Sequence, residues 1–247
     1  MTFVKDRKEL RKIRSSGHVI KEVFSYLEER VSPGVTTAEL DKEVEKLIKE
    51  RGGIPAFKGY RGYPASICTS INNVVVHGIP SDSDILEEGD IISIDVGVKK
   101  NGYFTDAART YPVGDISPEV KDLLDACRES LFAGIEEAVE GNRLSDISHA
   151  IESLVSKRGY KEVRSFVGHG IGKNLHESPE VPNWGEKGKG LLLKEGLVLA
   201  IEPMVNSGVR EVKILDDGWT AVTCDGGWSS HYEHTVIVGR KNAEALT

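Results

Sequence analysis

The sequence predicts an α+β fold: two αβ halves, related by a pseudo-twofold axis, around a central antiparallel sheet. Three observations predict it. A helix-then-strand pattern occurs twice at one offset, an Asn-Gly hairpin signal lies near the middle of the chain, and strand-length apolar runs recur in both halves. The 247 residues are read as a single unit, 1–247, with an internal repeat of about 34–95 and 141–202.

GVTTAELDKEVEKLIKERG from Gly34 aligns with GNRLSDISHAIESLVSKRG from Gly141, an offset of 141 − 34 = 107. Leu40, Val44, Leu47 and Ile48 pair with Ile147, Ile151, Leu154 and Val155. That spacing puts the apolar residues on one helical face, and each copy ends at a glycine, a common helix stop. LEEGDIISID from Leu86 aligns with LKEGLVLAIE from Leu193 at the same offset, so Asp95 falls on Glu202. Two such units packed about a twofold axis would bring these carboxylates together.

The stretch IDVGVKKNGYFTDAART, Ile94 to Thr110, reads as two strands around Asn101-Gly102, the sequence a type I′ turn favours. In that register Gly97 faces Asp106 and Asp95 faces Ala108. Alternation puts these four on one face and Ile92, Ile94, Val96 and Val98 on the other. Asp95 and Asp106 become diagonal neighbours, roughly 7–8 Å apart at the backbone. Like charges so close repel unless a cation lies between them. Taken alone, the plainer reading is a solvated hairpin face; the sharper is half of a metal site.

The second half supplies candidates for the rest. Glu202 lies in the apolar run GLVLAIEPMV, where a bare carboxylate is costly, and Pro203 biases it toward a strand end. VGHGIGKNLHESPEVPN places His169 and His176 in what reads as a glycine-rich loop. HYEHTVIVG, His231 to Gly239, alternates as a strand with Glu233 and Thr235 on one side. Each has a bland alternative as a salt bridge, a surface histidine or an exposed strand residue. Together they form a carboxylate-rich set with imidazole, which suits hard or borderline divalent ions in a two-metal site.

Composition narrows the class. A net charge of −7 argues against broad or sequence-specific nucleic-acid binding. Cys68, Cys127 and Cys224 show no paired spacing, which fits a reducing, cytoplasmic setting better than a disulfide framework. No apolar run reaches membrane-spanning length, and the charged start MTFVKDRKELRKIR is unlike a secretory signal.

The ordered set His77-Gly78, Asp95, Asp106, Gly168-His169-Gly170-Ile171-Gly172, His176, Glu202-Pro203 and Tyr232-Glu233-His234 resembles the methionine aminopeptidase family of the pita-bread (creatinase/aminopeptidase) fold. The resemblance spans nearly the whole chain and is nearest the short, bacterial-like type I form of metallopeptidase family M24. It implies metal ligands Asp95, Asp106, His169, Glu202 and Glu233, with Asp106 and Glu233 bridging two divalent ions, Co, Mn, Fe or Zn. It implies catalytic roles for His77, His176 and Glu202, with hydroxide held between the ions attacking the first peptide bond.

The same resemblance implies a methionine pocket of Phe57, Tyr60, Tyr63, Cys68, Leu175 and Trp219, to which His77 and His176 also belong. A monovalent cation, Na or K, would sit on backbone carbonyls of Asn72, Val74 and Ser229. Many relatives carry Cys where this chain has Phe57 and Phe where it has Leu175, so bulk is exchanged between the pocket walls. The implied substrates are peptides and nascent chains starting with methionine, with a small second residue preferred, acted on by a monomer. Lys5, Arg7, Lys8, Arg11, Lys12 and Arg14 suggest transient ribosome docking, although interleaved acids favour a solvated helix face. An X-Pro aminopeptidase or prolidase is the rival on the same fold, and a non-catalytic peptide-binding module the rival of another class.

Overall fold

The computed structural model describes residues 4–247. Among them are four α-helices: α1 (Arg7–Arg30), α2 (Thr37–Glu50), α3 (Pro118–Glu136) and α4 (Leu144–Lys157). Helix α1 starts at a capping box, in which the Asp6 carboxylate accepts from the Lys8 and Glu9 amides and Glu9 returns a bond to the Asp6 amide. Its buried stripe, Val19, Ile20, Val23, Phe24 and Leu27, packs with Leu40, Val44 and Ile48 of α2 on the strand Ile91–Lys100.

The central element of the first half is the hairpin Ile91–Lys100 and Tyr103–Pro112, paired residue by residue. Asn101 and Gly102 have φ of 54° and 80°, the positive pair that a type I′ turn requires. Gly97 faces Asp106 and Asp95 faces Ala108. Ile67–Ile71 and Ile54–Pro55 add to the free edge of Ile91–Lys100.

The second half repeats this plan. Helices α2 and α4 both hold fourteen residues, and 37 + 107 = 144. The short strands Ile54–Pro55 and Lys161–Glu162 and the isolated bridges Thr36 with Ile85 and Arg143 with Leu192 keep the same offset. The strand starting at Ile91 has its counterpart at Val198, but Val198–Ile201 is four residues long. Pro203 stands where the first half has Val96, and its missing N–H stops the ladder just after Glu202. Val198–Ile201 pairs with Gly168–Gly170 and with His234–Ile237, and α3 and α4 cover this sheet with a second core.

Two local expectations change. His169 lies on the short strand Gly168–Gly170 rather than in a loop. HYEHTVIVG is not one strand: Ser229–His231 and His234–Ile237 are separated at Tyr232 and Glu233. The cause is the seam between the halves. The Glu233 amide donates to the Ala108 carbonyl, the Thr235 hydroxyl bonds both the amide and carbonyl of Asp106, and Thr110 does the same for His231. Thus the second-half segment follows Tyr103–Pro112 while its two pieces pair with different strands.

Candidate metal centre and substrate cavity

Along that seam lies a cavity of about 170 Å³. Asp95 and Asp106 reach it from the hairpin, His169 from a strand, Glu202 from just beyond a strand end, and Glu233 from the strand break. Ligand atoms of Asp106, His169 and Glu233 lie within 4.8 Å of one another. Glycine on each side of His169 lets three backbones close in: a Cβ at 168 would stand 2.4 Å from the Ala200 carbonyl oxygen, and one at 170 as close to that of Ser178.

The electrostatics call for cations. Two unit charges 4.8 Å apart repel by about 3.5 kcal/mol at an effective dielectric constant near 20. Burial, then the charges of Asp106 and Glu202, push the Asp95 carboxyl well above its ordinary range. Burial and Asp106 do the same to Glu202, and burial with Asp106, Glu202 and Asp95 to Glu233. Burial raises Asp106 to about 7. Asp95 Oδ1, Asp106 Oδ1 and Glu233 Oε1 are buried without a hydrogen-bond partner. His169 Nδ1 lies 2.9 Å from the Gly170 carbonyl oxygen, so Nδ1 carries the proton and Nε2, 3.6 Å from Glu202 Oε1, presents its lone pair. Partnerless carboxylate oxygens around an imidazole held in the ligating tautomer fit divalent cations.

The opposite wall is apolar and holds Phe57, Tyr63, Cys68, Leu175 and Trp219, with Tyr60 toward the outside. Phe57 lies over the hairpin because position 97 has no side chain; a Cβ there would meet Phe57 Cε1 at 2.5 Å. The Tyr63 ring meets Trp219 edge-on at 5.1 Å. Two histidines stand between the walls. His77, at φ 62°, packs edge-on to Phe166, and burial lowers its pKa to about 4. His176 lies 4.2 Å, ring to ring, from His169, and its Nδ1 is 2.8 Å from the Tyr60 hydroxyl.

The cavity thus gathers the five candidate ligands, both histidines and the six pocket residues. Asn72, Val74 and Ser229 lie outside it, with the Ser229 amide donating to the Asn72 carbonyl at 2.8 Å. Two further residues of the site escape a reading by motif. Arg61 lines the cavity, in a Gly59–Gly62 loop whose glycines were the available signal. His231 is buried behind Glu202, its unpartnered Nε2 4.0 Å from Glu202 Oε2. Among the described residues no helix is long and apolar enough to cross a membrane.

The model of metallopeptidase family M24 matches residues 11–240. A methionine aminopeptidase of Clostridium acetobutylicum is 52% identical over all of this chain and 99% of its own, and methionine aminopeptidase 1 of Bacillus subtilis is 49% identical over the same shares. The crystal structure of methionine aminopeptidase from Rickettsia prowazekii superposes with a TM-score of 0.97 at 40% identity, covering 99% of this chain and 98% of that one. The architecture is accordingly the pita-bread fold. Full-length identity of this order places the chain in metallopeptidase family M24, as a member of the methionine aminopeptidases.

Proposed function

We propose that this enzyme removes the N-terminal methionine from nascent proteins and peptides, preferring a small second residue. The observation that carries the reading is one cavity with two unlike walls: partnerless carboxylates with an imidazole on one side, an apolar surface on the other. Asp95, Asp106, His169, Glu202 and Glu233 would hold two divalent ions of the Co, Mn, Fe or Zn type. When bound, such ions supply Lewis acidity and a water acidified toward neutral pH.

The protein's own groups do the rest. Phe57, Tyr60, Tyr63, Cys68, Leu175 and Trp219 take up the methionine side chain, whose burial is worth about 1.5–3 kcal/mol, and exclude water. Glu202 accepts the proton of the attacking water and returns it to the leaving amine. With the Tyr60 hydroxyl donating to His176 Nδ1, His176 keeps its proton on Nε2 and donates it as a hydrogen bond to the carbonyl oxygen while charge develops there. His77, kept neutral by burial, hydrogen-bonds the scissile amide nitrogen.

The remaining parts of the reading are a single catalytic unit, 1–247, acting as a cytoplasmic monomer, a monovalent ion at Asn72, Val74 and Ser229, and transient ribosome contact through the basic face of α1. Methionine release from Met-Ala-Ser by protein stripped of metal and then reloaded with Co²⁺ or Mn²⁺ tests the activity, with bound metal counted in parallel. Metal-dependent release is expected. No release alongside no bound metal would leave a peptide-binding module.

A further inference from the structure

We propose that Arg61 recognises a substrate carboxylate beyond the scissile bond and so tunes which N-termini are processed fastest. The inference deepens the reading above and rests on it. Arg61 is the one arginine or lysine among the residues lining the cavity. It is exposed, whereas Phe57, Tyr63, Cys68, Leu175, Asp106 and Glu233 are buried, so it marks the mouth. A cavity that accepts only the first residue must let the rest of the peptide out by that mouth. Whatever follows the first peptide bond therefore passes the guanidinium.

Arg61 is also held in place. Its φ of 49° lies in the left-handed region that non-glycine residues seldom adopt, with glycines at 59 and 62 close by. Such strain persists where the surroundings impose it, and it clusters at binding sites. The guanidinium sits 5.4 Å from the centre of the Tyr60 ring, within cation–π range, and the Tyr60 hydroxyl is the group that meets His176 Nδ1. The charge is thus fixed one side chain away from His176. Many arginines elsewhere are paired, among them Arg30 with Glu43, Arg158 with Asp122 and Glu129, and Arg164 with Glu152 and Glu162, while Arg7, Arg11 and Arg143, which make no such pair among the described residues, do not line the cavity. Arg61 has no carboxylate within 4.0 Å among the described residues. A planar fork with free donors fits a carboxylate bidentately.

That carboxylate has two sources, an acidic side chain in the third position or the free C-terminus of a short peptide. The metal-loaded enzyme is assayed on Met-Ala-Glu-amide, Met-Ala-Gln-amide and Met-Ala-Gln with a free terminus. The wild type should favour one acidic partner over Met-Ala-Gln-amide by about threefold in kcat/KM, the scale of an exposed ion pair, mostly through KM. Preference for the glutamate amide assigns the side chain, and preference for the free acid assigns the terminus. Either preference should vanish in Arg61→Gln, return in part in Arg61→Lys, reverse in Arg61→Glu and fade at high salt. Arg61→Gly, which relieves the backbone, should lose the preference without losing thermal stability. Equal rates on all three peptides, or a preference that survives in Arg61→Gln, overturns the proposal while leaving the function intact. No turnover of any peptide overturns both.

Discussion

The two halves use one helix-and-strand plan to present carboxylates in different ways. In the first half Asp95 and Asp106 sit inside a ten-residue ladder whose every rung is made. In the second half Glu202 stands just past a four-residue strand ended by Pro203, and Glu233 stands in a break between strands. A duplicated unit with two intact hairpins would project its carboxylates along two parallel faces. Interrupting one copy lets its carboxylates swing onto the face of the other. The regular half supplies rigidity and the interrupted half supplies convergence.

The strongest way to break this comparison is to neutralise one carboxylate from each half. Asp106→Asn and Glu233→Gln should each lower metal-dependent kcat/KM by at least about 10²-fold, because each removes the charge of a proposed ligand while keeping its shape. In chelator the same substitutions should raise Tm by a few degrees, since each relieves repulsion among buried carboxylates. Peptide-release kinetics of the metal-loaded protein read the first effect, and scanning calorimetry in chelator reads the second. A lower Tm in chelator for Glu233→Gln alone would mean that Glu233 holds the strand break together, so that the break is scaffold rather than a device for convergence.

What could be read in advance follows the same division. The hairpin register is legible because Asn101-Gly102 fixes the turn and period-two alternation fixes the faces. The helices of the repeat are legible because Leu40, Val44 and Ile48 repeat as Ile147, Ile151 and Val155. The break at Tyr232 and Glu233 is not legible, because HYEHTVIVG alternates without interruption and the break is made by hydrogen bonds to Ala108 and Asp106, over a hundred residues away. His169 reads as a loop residue because its glycines resemble loop glycines; they are there to let backbones approach. Arg61 carries no motif at all. Its place at the mouth depends on a loop conformation, and a single arginine between glycines does not announce which cavity it borders.

A smaller effect separates the matching helices α2 and α4. Glu39 and Asp146 are equivalent, 39 + 107 = 146, and each accepts the amide of its N-cap residue, Thr36 or Arg143. Glu39 does so in solvent. Asp146 is buried and also accepts the Gly188 amide at 2.7 Å, which ties α4 to the following loop. Asp146→Ala should therefore cost about 2–3 kcal/mol and Glu39→Ala about 0.5–1 kcal/mol, compared by urea unfolding. Equal costs would mean that the loop contact adds nothing.

The smallest effect concerns pH and belongs to the first half. Glu45 accepts from Lys49 and Lys58, which bring its pKa down to about 2, and from the Ser66 hydroxyl. A carboxylate whose folded pKa lies below its unfolded value stabilises the fold above the unfolded value, about 4.5, and that contribution is lost as pH falls toward about 2. Glu45→Gln should thus lower Tm at about pH 7 and have a smaller effect at about pH 3. The equivalent Glu152, 45 + 107 = 152, faces different partners, the Arg164 guanidinium and the Gly185 amide of the loop before Val198. In one half the position ties a helix through Ser66 to the start of the strand Ile67–Ile71; in the other it anchors the approach to the interrupted strand. If Glu45→Gln lowered Tm equally at both pH values, its ion pairs with Lys49 and Lys58 would not be the source of the stability.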